Sequence, residues 1–212
     1  MSTDTPKFWD DLWADIEDCG SGSDEILADH VRNLKPGRAL EIGCGTGGNA
    51  IWLSKKDWLV TAVDFSLVAV EKGRRMAVEQ GADIEFVVAD ASTYIPRGQY
   101  DLITSLYIQL FPEQRAAMLS NMSKALAPGG ILLFVSHDKS GSPAGWSEED
   151  LLSLTTPEEI VAELSGLQIE MAYVLGGGDA DRASHMQHDG SEDEHQDCRH
   201  SNTTIVKATR PR

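Results

Sequence analysis

Three acids stand at or near the ends of short apolar runs: Glu41 in RALEI, Asp64 in WLVTAVD and Asp90 in IEFVVAD. After the first comes Gly43-Cys44-Gly45-Thr46-Gly47-Gly48. A glycine-rich turn from strand to helix lets the backbone approach a ligand closely, with the helix N-terminus facing it. As Gly43-x-Gly45-x-x-Gly48 the turn fits a dinucleotide fingerprint, a weak pattern when it stands alone. Glu41 at its lip favours another ligand, because a carboxylate repels a pyrophosphate and attracts a sulfonium or an ammonium. Asp64 follows Gly47 by 17 residues, where doubly wound folds place an acid that accepts ribose hydroxyls. Either kind of cofactor would use it.

Acids presented side by side at strand ends require a sheet to carry them. Strand-like and helix-like periods alternate along the chain, which is the pattern of a parallel sheet with helices on its faces. Strands are expected at Arg38 to Ile42, Trp58 to Val63, Ile84 to Ala89, Tyr100 to Leu106 and Gly130 to Ser136. Helices are expected near Gly48 to Lys56, over Ser66 to Gln80 with Ser66 as cap and Gly81 as stop, and over Pro112 to Leu126. Thr156 to Leu164 has a cap-and-proline helix start, and Gln168 to Leu175 with Thr203 to Ala208 reads as a hairpin. The expected fold is α/β and doubly wound. It has a mostly parallel seven-stranded Rossmann-like sheet, helices on both faces and a C-terminal antiparallel hairpin.

Glu41-x-Gly43-x-Gly45-x-Gly47 resembles motif I of the class I S-adenosylmethionine-dependent methyltransferases. Tyr100-Asp-Leu-Ile-Thr-Ser and Leu126-Ala-Pro-Gly-Gly-Ile-Leu-Leu-Phe resemble the fourth and fifth strands of that family, so the likeness spans about residues 36 to 136. It implies that Glu41, Gly43, Cys44, Gly45, Gly47, Asp64, Phe65, Asp90, Ala91 and Ser105 hold S-adenosylmethionine, with Asp90 accepting the adenine amino group. The small size and Phe8-Trp9-x-x-x-Trp13 are similar to the tellurite-resistance and thiopurine methyltransferase group.

Methyl transfer from a sulfonium is an in-line displacement, so such an enzyme chiefly aligns two reactants in a dry pocket. A general base matters when the acceptor is protonated at neutral pH, and little for a thiolate. Tyr107 and Gln109 follow the fourth strand, and His137 with Asp138 follows the fifth. Tyr107, His137 and Asp138 are therefore the catalytic candidates, the last two because a histidine beside an acid can titrate near neutrality. A backbone-bonded strand-end histidine is the equally plain alternative. Trp9 and Trp13, four apart on an N-terminal helix, could lid the cofactor or simply pack that helix. His185-x-x-His188 and His195-x-x-Cys198-x-His200 offer soft or borderline metal ligands but match no familiar zinc framework, so no metal is assigned.

Composition narrows the partners. The chain has 212 residues, 18 Lys plus Arg against 34 Asp plus Glu, and a net charge of -16. That charge repels phosphate backbones and anionic lipid. No basic stripe and no Asn-Pro-Pro-Tyr-like motif after the fourth strand points to nucleic acid. Three widely spaced cysteines, Cys19, Cys44 and Cys198, form no disulfide framework and suit a reducing cytosol. The N-terminal MSTDTPKFWDD is unlike a signal peptide, and the longest apolar run is the five residues from Ile131 to Val135. A chain of this length buries roughly 70% of its unfolded surface, enough for one core. One cytoplasmic methyltransferase domain over 1–212 is expected, acting on a small-molecule substrate as a monomer or homodimer. Within it lie a helical lid segment (1–33), a cofactor-binding core (36–136) and a C-terminal part (137–212) with an acidic, His-rich loop at 176–202. The alternatives are an NAD-dependent oxidoreductase, which would lack a Tyr-x-x-x-Lys pair, and a non-catalytic cofactor- or metal-binding protein.

Overall fold

A computed structural model describes residues 5–16, 22–141, 146–176 and 202–212. The His and Cys positions between 185 and 200, like Cys19, lie outside the described residues. The strands are β1 (Arg38–Ile42), β2 (Leu59–Asp64), β3 (Ile84–Val88), β4 (Tyr100–Leu106), β5 (Leu126–His137), β6 (Gln168–Leu175) and β7 (Thr203–Thr209). The helices are α1 (Pro6–Asp15), α2 (Glu25–Val31), α3 (Gly48–Ser54), α4 (Leu67–Glu79), α5 (Pro112–Ala125) and α6 (Pro157–Glu163). No helix among the described residues is long and apolar enough to cross a membrane.

The strands form one sheet in the order β3-β2-β1-β4-β5-β7-β6. Strands β1 to β5 pair in parallel, while β7 runs antiparallel between β5 and β6. The chain winds outward from β1 in one direction and returns to β4 on the other side, so the carboxyl ends of β1 and β4 flank a crevice. Because β6 runs with β5, Leu175 and Thr203 come level with His137 at that same edge.

Alternate residues of the central strands feed two cores. Ala39, Leu102, Leu133, Val135 and Ile205 pack with Leu27, Ile51, Leu53 and Val70 on the side of α2, α3 and α4. Leu40, Ile103, Leu132, Phe134 and Val206 pack with Met118, Met122 and Ile160 on the side of α5 and α6. Local signals act as the sequence leads one to expect. The Ser66 hydroxyl caps α4 at Ala69, and Thr156 forms a capping box with Glu159.

Two features depart from expectation. Strand β5 starts at Leu126 rather than Gly130, because α5 runs directly into extended chain and Leu126 pairs with Tyr100 across an irregularity. A Cβ at Gly130 would come within 2.7 Å of the Tyr100 carbonyl oxygen, so the chain needs glycine at that bend. A short 3-10 turn, Asp150–Ser153, precedes α6, and the sequence gives no periodic signal for it.

Candidate active site

A cavity of about 480 Å³ opens in the crevice between β1 and β4. Its floor is the glycine turn: Gly43, Cys44 and Gly45 line it. Gly43 and Gly45 have φ of 71° and 53°, a left-handed backbone that favours glycine. A Cβ at Gly43 would meet Ile108 at 3.0 Å, and one at Gly45 would meet the Trp13 ring at 2.9 Å. Gly47 lies behind this wall, where its own φ of 78° caps α3 and a Cβ would strike Phe86 at 2.8 Å.

The cavity gathers acids from separate strands. Glu41 is 2% exposed, and its Oε2 has no hydrogen-bond partner among the described residues. Burial pushes its carboxyl up to about 8, against hydrogen bonds from the Asn49 side chain and the Ala50 N–H, with Asp64 and Asp24 adding repulsion. On the neighbouring strand, its register partner Thr104 also has a buried, unpartnered hydroxyl. Asp64 accepts from the Gly45 N–H at 2.8 Å and the Ser66 N–H at 2.9 Å, which ties the end of β2 to the turn after β1. Burial raises its carboxyl despite those bonds. A carboxylate has about four acceptor positions, so both oxygens can still take ribose hydroxyls. Asp90 is exposed at the end of β3, held by the Ser92 N–H and hydroxyl at 2.8 and 2.7 Å. Phe65 and Ala91 complete this side.

Helix α1 covers the opening. Trp9 and Trp13 line the cavity, and the helix is fixed to α4 from its middle and from its C-terminal end. Its Asp10 accepts from the Ser66 hydroxyl at 2.6 Å and the Val68 N–H at 3.2 Å, at the start of α4. In return Lys72 of α4 donates to the carbonyls of Trp13, Ala14 and Ile16 at the end of α1. Each helix end thus receives the charge its dipole favours.

The far wall is Leu106, Tyr107, Ile108, Gln109 and Leu110, with Gln114. Tyr107 has φ of 55°, a backbone strain often found where function fixes a side chain. His137 lies behind it, its ring 5.1 Å from Tyr107 and 5.2 Å from Trp146. Burial lowers its imidazole, which favours the neutral form. Asp138 points elsewhere: its carboxylate accepts from the Ser140 N–H at 2.8 Å, the Ser140 hydroxyl and the Thr204 hydroxyl at 2.6 Å. His137, Asp138 and Ser105 do not line the cavity. Three polar residues that do line it carried no motif: Asp24, Asn49 and Gln114. The Asp24 N–H donates to Asn49 at 2.7 Å, so the Asn49 amide links the start of α2 to Glu41. Only the glutamine three residues after Phe111, at a helix start, could have been noticed.

A family model described as a methyltransferase domain matches residues 39–130. A probable thiol methyltransferase 2 of Arabidopsis thaliana is 30% identical over 155 residues, covering 68% of each chain. The chain belongs to the class I S-adenosylmethionine-dependent methyltransferases. Phosphoethanolamine N-methyltransferase 1 of Arabidopsis thaliana is 32% identical over 111 residues, 51% of this chain but only 23% of the relative. The chain therefore spans about a quarter of that longer relative. TehB of Haemophilus influenzae shares the fold at a TM-score of 0.69 and 16% identity, over 88% of this chain and 62% of that one.

The site fits the family's cofactor on structural grounds. S-adenosylmethionine has an ammonium and a sulfonium, and the unpartnered Glu41 oxygen on the cavity wall lacks such a cation. A nicotinamide dinucleotide would bring its pyrophosphate to a lining with four carboxyl groups and, among the described residues, no Lys, Arg or His.

Proposed function

We propose that this protein transfers the methyl group of S-adenosylmethionine to a small-molecule acceptor. The observation that carries the reading is the buried Glu41 carboxyl, with one oxygen unpartnered, in a cavity shared with Asp64 and Asp90. Glu41 would pair with the methionyl ammonium, Gly43 and Gly45 would admit the methionyl chain, Asp64 would take the ribose and Asp90 with Ala91 the adenine. When bound, the cofactor supplies an electrophilic methyl, and the acceptor's lone pair bonds to it as the carbon–sulfur bond breaks toward sulfur.

The rest of the cavity would hold the acceptor. Its volume and its cover by α1 suit a small molecule better than a folded partner. Tyr107 is the side chain we assign to the acceptor, with the neutral His137 ring fixing it from behind. Asp138, whose oxygens are engaged by Ser140 and Thr204, would hold the end of β5 in place rather than move protons. A cytoplasmic setting fits the buried free thiol of Cys44. Calorimetric titration with S-adenosylhomocysteine and, in parallel, NADH tests the reading. It stands if the first binds wild type and is lost in Asp64→Ala, and falls if only NADH binds.

A further inference from the structure

We infer that the acceptor enters this cavity without negative charge, so that phosphorylated, carboxylated and oxyanionic acceptors are refused. This rests on the methyltransferase reading and names the substrate class of the same site. The lining has the carboxyls of Asp24, Glu41, Asp64 and Asp90 and, among the described residues, no cationic side chain. S-adenosylmethionine brings two positive charges and one negative. With Glu41 paired to the methionyl ammonium, the carboxyls of Asp24, Asp64 and Asp90 face a cofactor left with only its sulfonium and its own carboxylate.

The part of the wall left for the acceptor is Pro6, Trp9, Ile108 and Leu110, with the neutral Tyr107 and Gln109. An anionic group there would lose its hydration, find no cationic side chain among the described lining residues and face like charge across a cavity of about 480 Å³. The ring behind Tyr107 is no substitute, since His137 packs between Tyr107 and Trp146 and does not reach the lining. The chain's net charge of -16 also slows the approach of anions from solution. An apolar or amino-bearing molecule meets none of these barriers. The contrast with a phosphoethanolamine N-methyltransferase is direct, because a phosphate would have no cationic partner among the described residues here.

The test uses matched pairs differing in one anionic group: benzyl mercaptan with 4-(mercaptomethyl)benzoate, 4-ethylphenol with 3-(4-hydroxyphenyl)propionate, and ethanolamine with phosphoethanolamine. Tellurite serves as an oxyanion. S-adenosylhomocysteine release from S-adenosylmethionine is followed on wild type and on Gln109→Lys, with S-adenosylhomocysteine binding measured on each. The expected result is turnover of at least one uncharged or cationic member with kcat/KM roughly 30-fold or more above its anionic partner. Gln109→Lys should narrow that ratio. An anionic member that matches or exceeds its partner overturns the inference, as does turnover of tellurite alone. Binding of S-adenosylhomocysteine with no turnover of any uncharged or cationic member also overturns it. Failure of S-adenosylhomocysteine to bind wild type would instead remove the methyltransferase reading itself.

Discussion

Glu41 and Asp138 are both 2% exposed, and both stand near the carboxyl ends of sheet strands, on β1 and just after β5. Burial pushes both carboxyls upward, yet they end on opposite sides of their ordinary range. Glu41 rises to about 8 because Asn49 and Ala50 satisfy only part of it. Asp138 falls, because hydrogen bonds from Ser140 and Thr204, with the charge of Lys139, outweigh its desolvation. Equal solvent exposure therefore says little about role. A buried acid with complete partners holds the fold together, whereas one with a missing partner marks the place where a ligand must bring it.

The largest break in that comparison should come from Glu41→Gln. It keeps the acceptor for Asn49 but removes the charge, so S-adenosylhomocysteine affinity should fall about 100-fold by calorimetry. Stability should stay within about 1 kcal/mol of wild type, since no completed ion pair is lost. Unchanged affinity would mean that the open Glu41 oxygen does not face the cofactor.

Asp138→Ala should do the reverse. It takes the 2.6 Å acceptor from the buried Thr204 hydroxyl, which keeps only the Thr155 carbonyl at 3.4 Å, and should cost about 2 kcal/mol in urea unfolding, with cofactor affinity within about twofold. A loss of affinity larger than the loss of stability would place Asp138 in the chemistry instead.

The pH response sharpens the contrast further. In the empty folded protein Glu41 keeps its proton up to about 8, while in the unfolded chain it releases it near 4.5. The folded state then holds the extra proton across that window, so this group makes stability fall as pH rises from 4.5 to 8. An ammonium pairs with the ionised carboxylate, so cofactor binding expels the proton, and affinity should climb by roughly 50-fold between pH 6 and 8. Glu41→Gln should flatten both slopes. Asp138 acts at the other end. Its contribution is complete above its unfolded value of 3.8 and is lost in stronger acid.

The sequence was informative wherever one local rule governed a position. Strand-end acids, the glycine turn, and the Ser66 and Thr156 caps follow from short-range periodicity and capping chemistry, and the sheet built from them matches expectation down to the C-terminal hairpin. Strand boundaries moved by a residue or more where tertiary pairing decided them, as at Leu126. Asp24 and Asn49 were not legible. Their importance arises only when the start of α2 folds against α3, a contact between residues 25 positions apart with no motif of its own. His137 and Asp138 are adjacent in sequence but face different surroundings, because β5 ends at His137 and Asp138 turns its carboxylate to Ser140 and Thr204. A pair that reads as one unit in sequence thus separates into two roles in space.

The smallest effect concerns how the cofactor reaches Glu41. Trp13 packs over Gly45, and α1 is held there by two interactions, Asp10 at the start of α4 and Lys72 at the end of α1. Lys72→Met removes one of them while leaving every lining residue in place. Three carbonyls at the end of α1 lose their donor, though water can replace it at this half-exposed position, so the helix should fray without the core loosening. S-adenosylhomocysteine should dissociate about three- to fivefold faster by stopped flow, with the unfolding midpoint little changed. Unlike Glu41→Gln, the variant should keep the pH slope of affinity, because the acid that titrates is untouched. An altered slope with an unaltered dissociation rate would show that α1 tunes the electrostatics of Glu41 and does not control access to it.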